Sequence, residues 1–236
     1  MKRSRVNSII REVDAFIRQH QFYLPPFAYW TPDDWRGQDE SVREIAEHGL
    51  GWDITDFGKG KYNEFGLCLF TIRNGDAANL KTGRGKVYAE KLLIVGDNQL
   101  TPYHFHWVKT EDIINRGGGT LMLQLYNSTE DGGLADSDIT VSTDGKVRHL
   151  PAGAIVALGR GESITLPTGL YHKFWGEGGT VLVTEVSMVN DDHTDNRFHE
   201  PVGRFSEIEE DEPPLHLLVN DYGRYYPHAA GGKGSN

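Results

Sequence analysis

The first part of the chain alternates apolar and polar residues with the period of an α-helix. Between residues 5 and 22 the apolar positions recur three and four apart, which predicts a helix whose single apolar stripe packs on a larger body. The stripe consists of Val6, Ile9, Ile10, Val13, Phe16 and Ile17. Prolines in the following LPPFAYW segment end this helix. Thr31 before Pro32 predicts the start of a second helix, and residues 41–49 predict a third that ends at Gly49.

From Trp52 onward the pattern changes to short runs of β-branched and aromatic residues, separated by turns rich in Gly, Asn and Asp. The runs are WDITDF, FGLCLFTI, VYAEKLLIV, TLMLQLYN, DITVS, KVRHL, AIVALG, ESITLP and TVLVTEVSMV. An Asp-Gly pair in STDGK predicts a tight hairpin. Short strands with no intervening helices predict an antiparallel sandwich or barrel. We therefore expect an all-β core in residues 52–228, a helical extension in residues 1–51 and a flexible tail in residues 229–236.

Composition and charge limit the classes of function. Hydrophobic residues make up 38% and aromatic residues 11% of the chain, which is enough for a sizeable core. The net charge of −10 argues against nucleic-acid and anionic-membrane partners, because both need a basic protein surface. The single cysteine, Cys68, lies in an apolar run and predicts a buried thiol. With no apolar signal segment and no run long enough to cross a bilayer, the sequence favours a cytoplasmic protein.

The segment TPYHFHWVKTE, residues 101–111, is the first candidate for chemistry. Residues two apart in a strand point to the same face, so His104 and His106 project together. Neutral imidazole is the most common metal ligand in proteins, and Glu111 follows closely enough to return a carboxylate to the same face. For this segment alone, two histidines with ordinary hydrogen bonds on a half-buried strand remain the alternative.

A second segment, GESITLPTGLYHKFWG, makes a metal site the better interpretation. Together the two segments resemble the two motifs of the cupin superfamily. The first motif is carried by His104, His106, Glu111 and Gly118, and the second by Gly161, Pro167, Gly169 and His172. Asn98 stands where the first motif usually has glycine, and Gly176 stands where the second usually has asparagine. We expect both at turns, where Asn and Gly both tolerate positive φ.

The cupin resemblance implies a double-stranded β-helix that holds a metal through His104, His106, Glu111 and His172. Three imidazoles and one carboxylate suit Mn²⁺, Fe²⁺, Co²⁺, Ni²⁺ or Zn²⁺, and the sequence alone does not choose among them. A cupin that has lost its metal usually lacks some of these four side chains.

Over its whole length the chain resembles the D-lyxose isomerase family of sugar ketol-isomerases. The supporting segments are LPPFAYWTPDDW, LTPYHFHWVKTEDIINRGGGTL and LPTGLYHKFW. This resemblance implies a reversible, Mn²⁺-dependent conversion of D-lyxose to D-xylulose, with sugars such as D-mannose as slower substrates, and it implies a homodimer. In such a reaction a divalent cation stabilises the enediolate while a side chain moves a proton from C2 to C1.

Two side chains are candidates for the proton transfer. Glu185 shares a strand face with Val181 and Val183, where partial desolvation suits a general base, although pairing with a basic residue at the barrel rim is an equal alternative. Lys109 lies in the loop before Glu111, where its ammonium could stabilise the enediolate oxygen or pass a proton to it. A solvent-exposed lysine is the alternative there.

Sugar-binding candidates follow from the same two regions. Phe174 shares the strand face of His172 and could pack against the carbons of the sugar. The polar loop VNDDHTDNRFHEP offers Asp191 and Arg197 as contacts to hydroxyl groups, although a solvated loop is the better interpretation for either residue taken alone.

Two other functions remain open. Cupins use similar ligands for oxygen chemistry, so a non-haem iron dioxygenase is the alternative enzyme. Such enzymes commonly have hydrophobic pockets, whereas Lys, Asp, Glu and Tyr surround these ligands. A non-catalytic sugar-binding cupin is the third interpretation.

Overall fold

The computed structural model describes residues 1–229, so the predicted tail lies outside the described residues except for Ala229. The helices are α1 (Arg3–Gln19), α2 (Pro32–Arg36), α3 (Arg43–Glu47), α4 (Ala77–Thr82) and α5 (Tyr222–Tyr225). The strands are β1 (Gly51–Thr55), β2 (Leu67–Arg73), β3 (Tyr88–Val95), β4 (Thr101–His106), β5 (Glu111–Asn127), β6 (Ile139–Thr143), β7 (Lys146–Leu150), β8 (Ile155–Leu158), β9 (Ser163–Leu166), β10 (Leu170–Met188) and β11 (Asn196–Phe198). The predicted all-β core with a helical N-terminal part is confirmed.

The three predicted N-terminal helices are all present as α1, α2 and α3. Thr31 caps α2, because its hydroxyl accepts a hydrogen bond from the Asp34 amide at 3.2 Å and the Asp34 carboxylate accepts one from the Thr31 amide at 2.8 Å. The expectation of no helices among the strands is wrong. α4 lies between β2 and β3, where Asp76 caps its first turn by accepting a hydrogen bond from the Ala78 amide.

The strands form one antiparallel sheet that is centred on β10. Along the sheet the order is β1-β2-β3-β10-β5-β9-β6-β7, while β4 joins β10 to β11 and β8 pairs with β5. β5 is long enough to pair with β9 through residues 111–114 and with β8 through residues 121–124. The pairing of β5 with β10 shifts in register between residues 177 and 183, opposite the glycines of residues 117–119, which lets both strands bend and the sheet roll up.

The backbone conformation differs between Asn98 and Gly176, the two positions that depart from the cupin motifs. Asn98 has a φ of 55°, as expected for a turn, and its amide donates a hydrogen bond to the Gly176 carbonyl at 2.8 Å. The expectation of a turn at Gly176 is wrong, because this residue lies inside β10. A Cβ at this position would lie 2.8 Å from the carbonyl oxygen of Gly96, so close backbone approach accounts for the glycine. The predicted hairpin is confirmed, with positive φ at Asp144 and Gly145 between β6 and β7.

Several strands bury both faces because the sheet lies between two cores. In β2, Leu67 and Leu69 face the inside of the rolled sheet, whereas Cys68 and Phe70 face outward against α1. The outer core receives the whole apolar stripe of α1 except Phe16, which is partly buried beside it. Burial raises the pKa of the Cys68 thiol, and the prediction of a buried thiol is confirmed.

The C-terminal segment holds α1 in place from the other side. The Arg3 guanidinium is buried and donates hydrogen bonds of 2.7–2.9 Å to the carboxylates of Glu210 and Asp221. Burial alone would lower the pKa of Arg3, but these two carboxylates outweigh it and raise the pKa. Within residues 1–229, no helix is both long and apolar enough to cross a membrane.

Alanine at Ile9 tests the packing of α1. The Ile9 side chain is 1% exposed, and removing most of it leaves a cavity between α1 and the sheet. We expect the free energy of unfolding to fall by about 2–4 kcal/mol in urea denaturation. Arg11→Ala changes an exposed side chain of the same helix and should cost less than about 0.5 kcal/mol. Equal stabilities of the two variants would contradict the packing.

Candidate active site

Three histidines from two neighbouring strands meet inside the rolled sheet. His104 and His106 lie on β4, and His172 lies opposite His104 in the pairing of β4 with β10. The Nε2 atoms of His104 and His172 are 3.1 Å apart. A potential ligand atom of each of the three imidazoles lies within 4.8 Å of those of the other two. The sequence segments that carry the two cupin-like motifs therefore converge on one point.

The hydrogen bonds on the far side of the rings fix which nitrogen faces this point. The Nδ1 atom of His104 donates to the Pro102 carbonyl at 2.8 Å, and that of His172 donates to the Leu170 carbonyl at 3.0 Å. Because a carbonyl only accepts, both Nε2 atoms carry lone pairs in the neutral rings, and these lone pairs point at each other. Burial, followed by the neighbouring His172, lowers the pKa of His104 well below its usual value. Neutral imidazoles with converging lone pairs fit a divalent cation.

Glu111 lies directly beside the imidazoles at the start of β5. Its Oε1 is 3.2 Å from Nε2 of His172, and its Oε2 is 3.4 Å from Nε2 of His106. Burial would raise the pKa of Glu111, but the charges of Lys109 and His106 outweigh it and hold the pKa well below its usual value. The carboxylate is thus ionised and in reach, and its place as a fourth metal ligand stays a prediction.

A buried lysine connects Glu111 to the candidate base. The Lys109 ammonium lies 2.7 Å from Oε2 of Glu111 and 2.7 Å from Oε1 of Glu185. Burial would lower the pKa of Lys109, but the two carboxylates outweigh it and raise the pKa. Lys109 is therefore a fixed cation, and the alternative of a solvent-exposed lysine is wrong because its side chain is 2% exposed.

Glu185 is held by one oxygen and leaves the other available. Its Oε1 accepts hydrogen bonds from Lys109 and, at 3.0 Å, from the Ser187 hydroxyl. Its Oε2 lies 3.7 Å from the ammonium of Lys91, beyond hydrogen-bond distance. Glu185 pairs with basic residues, as one alternative had it, but inside the rolled sheet and 4% exposed.

A cavity of about 50 Å³, a space for a few water molecules, is lined by His104, His106, Glu111, Lys109 and Glu185. One part of its wall is charged and includes Glu111, Glu185 and Lys109. Another part is apolar and consists of Phe57, Leu67, Leu69, Leu93, Ile113, Phe174 and Phe198. Phe174, the predicted contact for the carbons of a sugar, is thus in the wall, with its ring 6.3 Å from that of His104.

The other two predicted sugar contacts do not line this cavity. Asp191 accepts hydrogen bonds from the amides of His193 and Thr194, so its carboxylate shapes a turn. Arg197 pairs with Phe105 across β11 and β4, on the strand face opposite the histidines, and its side chain is exposed.

Three charged residues that were not predicted from the sequence line the cavity. They are Asp192, Arg204 and Lys91. The Arg204 guanidinium lies 3.0 Å from the Asp192 carboxylate and 2.8 Å from Asp53, the second contact being an ion pair without hydrogen-bond geometry. Burial would raise the pKa of Asp192, but Arg204 and Lys91 outweigh it and hold the pKa well below its usual value.

A signal in the sequence existed for one of the three. Lys91 shares the strand face of Leu93 and Val95, both of which face inward, and a lysine at such a position is almost never buried unless it is paired. Asp192 and Arg204 carry no local pattern, since their loops are placed by long-range packing.

Asp195 contacts the loop that carries Lys109 and the ring of His106. Its carboxylate accepts hydrogen bonds from the amides of Val108 and Lys109 at 2.8 and 3.1 Å, which fixes the loop that carries Lys109. Its Oδ2 also lies 3.7 Å from Nδ1 of His106, on the side of that ring away from the other histidines.

Comparisons with known proteins agree with this geometry. The family model for D-lyxose isomerase matches residues 1–222. A D-lyxose/D-mannose isomerase of Escherichia coli O157:H7 is 48% identical over 228 residues, which cover 95% of this chain and 100% of that protein. A D-lyxose/D-mannose isomerase of Serratia proteamaculans is 46% identical, covering 95% and 99%.

Solved structures extend the likeness at the level of the fold. The L-ribose isomerase of Acinetobacter sp. DL28 in complex with L-ribose has a TM-score of 0.59 at 15% identity, covering 89% of this chain and 98% of that chain. The L-ribose isomerase of Cellulomonas parahominis with L-ribose has a TM-score of 0.57 at 17% identity over the same shares. At such low identity the likeness shows a common fold alone.

Glutamine at His172 tests the metal site. Loss of one of three converging imidazoles should weaken binding of a divalent cation at least tenfold, and metal analysis after dialysis should find less metal per chain. His149→Gln changes an exposed histidine on β7 and should leave the metal content as it is. An unchanged metal content in folded His172→Gln would remove this residue from the ligand set.

Proposed function

Because the chain belongs to the D-lyxose isomerase family, we propose that this aldose–ketose isomerase interconverts D-lyxose and D-xylulose, with D-mannose and D-fructose as a second pair. The names of the two relatives support this choice of sugars. The observation that carries the proposal is the position of the Lys109 ammonium. It lies between the carboxylates of Glu185 and Glu111, and Glu111 lies beside the three imidazoles. A rolled antiparallel sheet of the cupin type supports the proposal, because these groups lie close together inside it.

A divalent cation held by the three imidazoles and Glu111 would supply a Lewis acid that stabilises negative charge on adjacent oxygens of the sugar. We propose Mn²⁺ for this position, on the resemblance to the family. The donor set suits Co²⁺, Fe²⁺, Ni²⁺ and Zn²⁺ as well.

Glu185 acts as the base in this proposal. Its Oε2, which has no hydrogen bond from the residues that the structure describes, takes the proton from C2 of the aldose and delivers a proton, in part exchanged with solvent, to C1, while the hydroxyl proton of O2 moves to O1. The bonds of Lys109 and Ser187 to Oε1 hold the carboxylate in one orientation during this transfer. Lys109 also places a permanent positive charge beside the site where the enediolate forms.

The rest of the wall selects and orients the sugar. Phe174 offers an apolar face to the carbon chain, while Asp192 and Arg204 offer an acceptor and donors to its hydroxyl groups. Asp191 and Arg197, which do not line the cavity, stay predicted contacts. On the family resemblance alone, we also propose a homodimer that works in the cytoplasm.

Glutamine at Glu185 tests the base. The amide keeps the shape but cannot take the proton, so kcat on D-lyxose should fall roughly a hundredfold or more with the metal retained. Glu90→Gln changes a neighbouring carboxylate on β3 that pairs with Arg73 at 2.7 Å at the surface, and it should keep wild-type kcat. Wild-type activity of a metal-replete Glu185→Gln protein would remove Glu185 from the mechanism.

Isotope transfer tests the reaction itself. The protein is stripped with a chelator, restored with Mn²⁺ and offered D-lyxose or D-mannose in deuterated water. We expect turnover only after restoration, with deuterium at C1 of the ketose by NMR, since the transferred proton exchanges with solvent. Oxygen uptake with iron and no isomerisation would instead indicate a dioxygenase. A sugar-dependent rise in Tm without turnover would indicate a binding protein.

A further inference from the structure

One polar atom in the cavity has no function in the proposed reaction. Thr101 is 2% exposed and lines the cavity, and its hydroxyl oxygen has no hydrogen-bond partner among residues 1–229. Buried hydroxyl groups in proteins are nearly always paired, because leaving one without a partner opposes folding.

A β-bulge turns Thr101 toward the histidines. In the pairing of β4 with β10, His104 lies opposite His172, but Thr101 lies opposite Phe174, so three steps on β4 match two on β10. Without the extra residue, strand alternation would place Thr101 and His104 on opposite faces. With it, Thr101 shares the face of Phe174 and His104, both in the cavity wall.

A second threonine in the same wall shows what an ordinary buried hydroxyl does. Thr55 also lines the cavity, and its hydroxyl accepts a hydrogen bond from the Phe57 amide at 2.9 Å. Thr55 therefore contributes to the structure of the chain itself. Thr101 has no such bond, so its hydroxyl makes no hydrogen bond that stabilises the described fold.

We propose that Thr101 is a sugar-binding residue whose hydroxyl exchanges a hydrogen bond with one hydroxyl group of the bound sugar. The inference rests on the proposed function, because it needs a polyhydroxylated substrate in this cavity. A hydroxyl both donates and accepts, so it matches the hydroxyl groups of a sugar in either direction. Since no other group of the described chain satisfies it, a sugar that lacks the partner hydroxyl should bind less well.

Valine at Thr101 separates this role from a structural one. Valine has nearly the same shape without the hydroxyl, so kcat/KM on D-lyxose should fall about tenfold. The Tm of the sugar-free protein should stay the same or rise, because an unpaired buried group has been removed. Thr101→Ser keeps the hydroxyl and should retain most of kcat/KM. Thr55→Val is the matched contrast, and its Tm should fall by about 2–4 °C because the Phe57 amide loses its partner.

Deoxy sugars identify the partner group. Analogues of D-lyxose that each lack one hydroxyl are compared on the wild type and on Thr101→Val. One analogue should lose about tenfold in kcat/KM on the wild type and little on the variant, because the same bond is missing in both.

Three results would overturn the inference while the proposed function stands. The first is an unchanged kcat/KM for Thr101→Val, and the second is a fall in its Tm like that of Thr55→Val. The third is a loss of kcat/KM on every deoxy analogue that is equal in the wild type and in Thr101→Val. A wild-type protein that turns over neither D-lyxose nor D-mannose overturns the proposed function and this inference together.

Discussion

The salt bridges of Lys109 are the interaction on which the site depends. Two buried carboxylates, of Glu111 and Glu185, each lie within hydrogen-bond distance of the buried Lys109 ammonium. Without Lys109, the negative charges of Glu111 and Glu185 would repel each other in a medium of low dielectric constant. Lys109 allows Glu111 to remain ionised beside the imidazoles while it orients Glu185. Its own position depends on Asp195, which binds the amide of Lys109 and the one before it.

Local patterns predicted most of the fold, and the resemblance to the two cupin motifs implied which histidines meet inside it. The helical period of α1 and the alternation of the strands are properties of short segments, and each motif spans one pair of consecutive strands with the loop between them. The same alternation placed Phe174 beside His172. Gly176 shows the limit of such reasoning, because the close approach of Gly96 depends on a strand pairing that no local pattern contains.

One physical reason explains why the other cavity residues were not predicted from the sequence. Arg204 reaches the cavity from a segment that has no regular secondary structure, and its partners Asp53 and Asp192 are distant in sequence. Asp191 and Asp192 are neighbours of the same type, but Asp191 accepts hydrogen bonds within a turn whereas Asp192 pairs with Arg204 in the cavity wall. Arg197 and Asn196 present the same difficulty, because the pairing of β11 with β4 determines which side chain shares the face of the histidines.

The wall of the cavity also joins the two ends of the polypeptide. Arg204 belongs to the C-terminal segment, which reaches Glu210 and there binds Arg3 in the first turn of α1. During synthesis on the ribosome the strands with the histidines emerge before this segment does. The histidines of the cluster are therefore synthesised first, but the wall of the cavity is complete only after the segment that carries Arg204 and Glu210 has docked against α1.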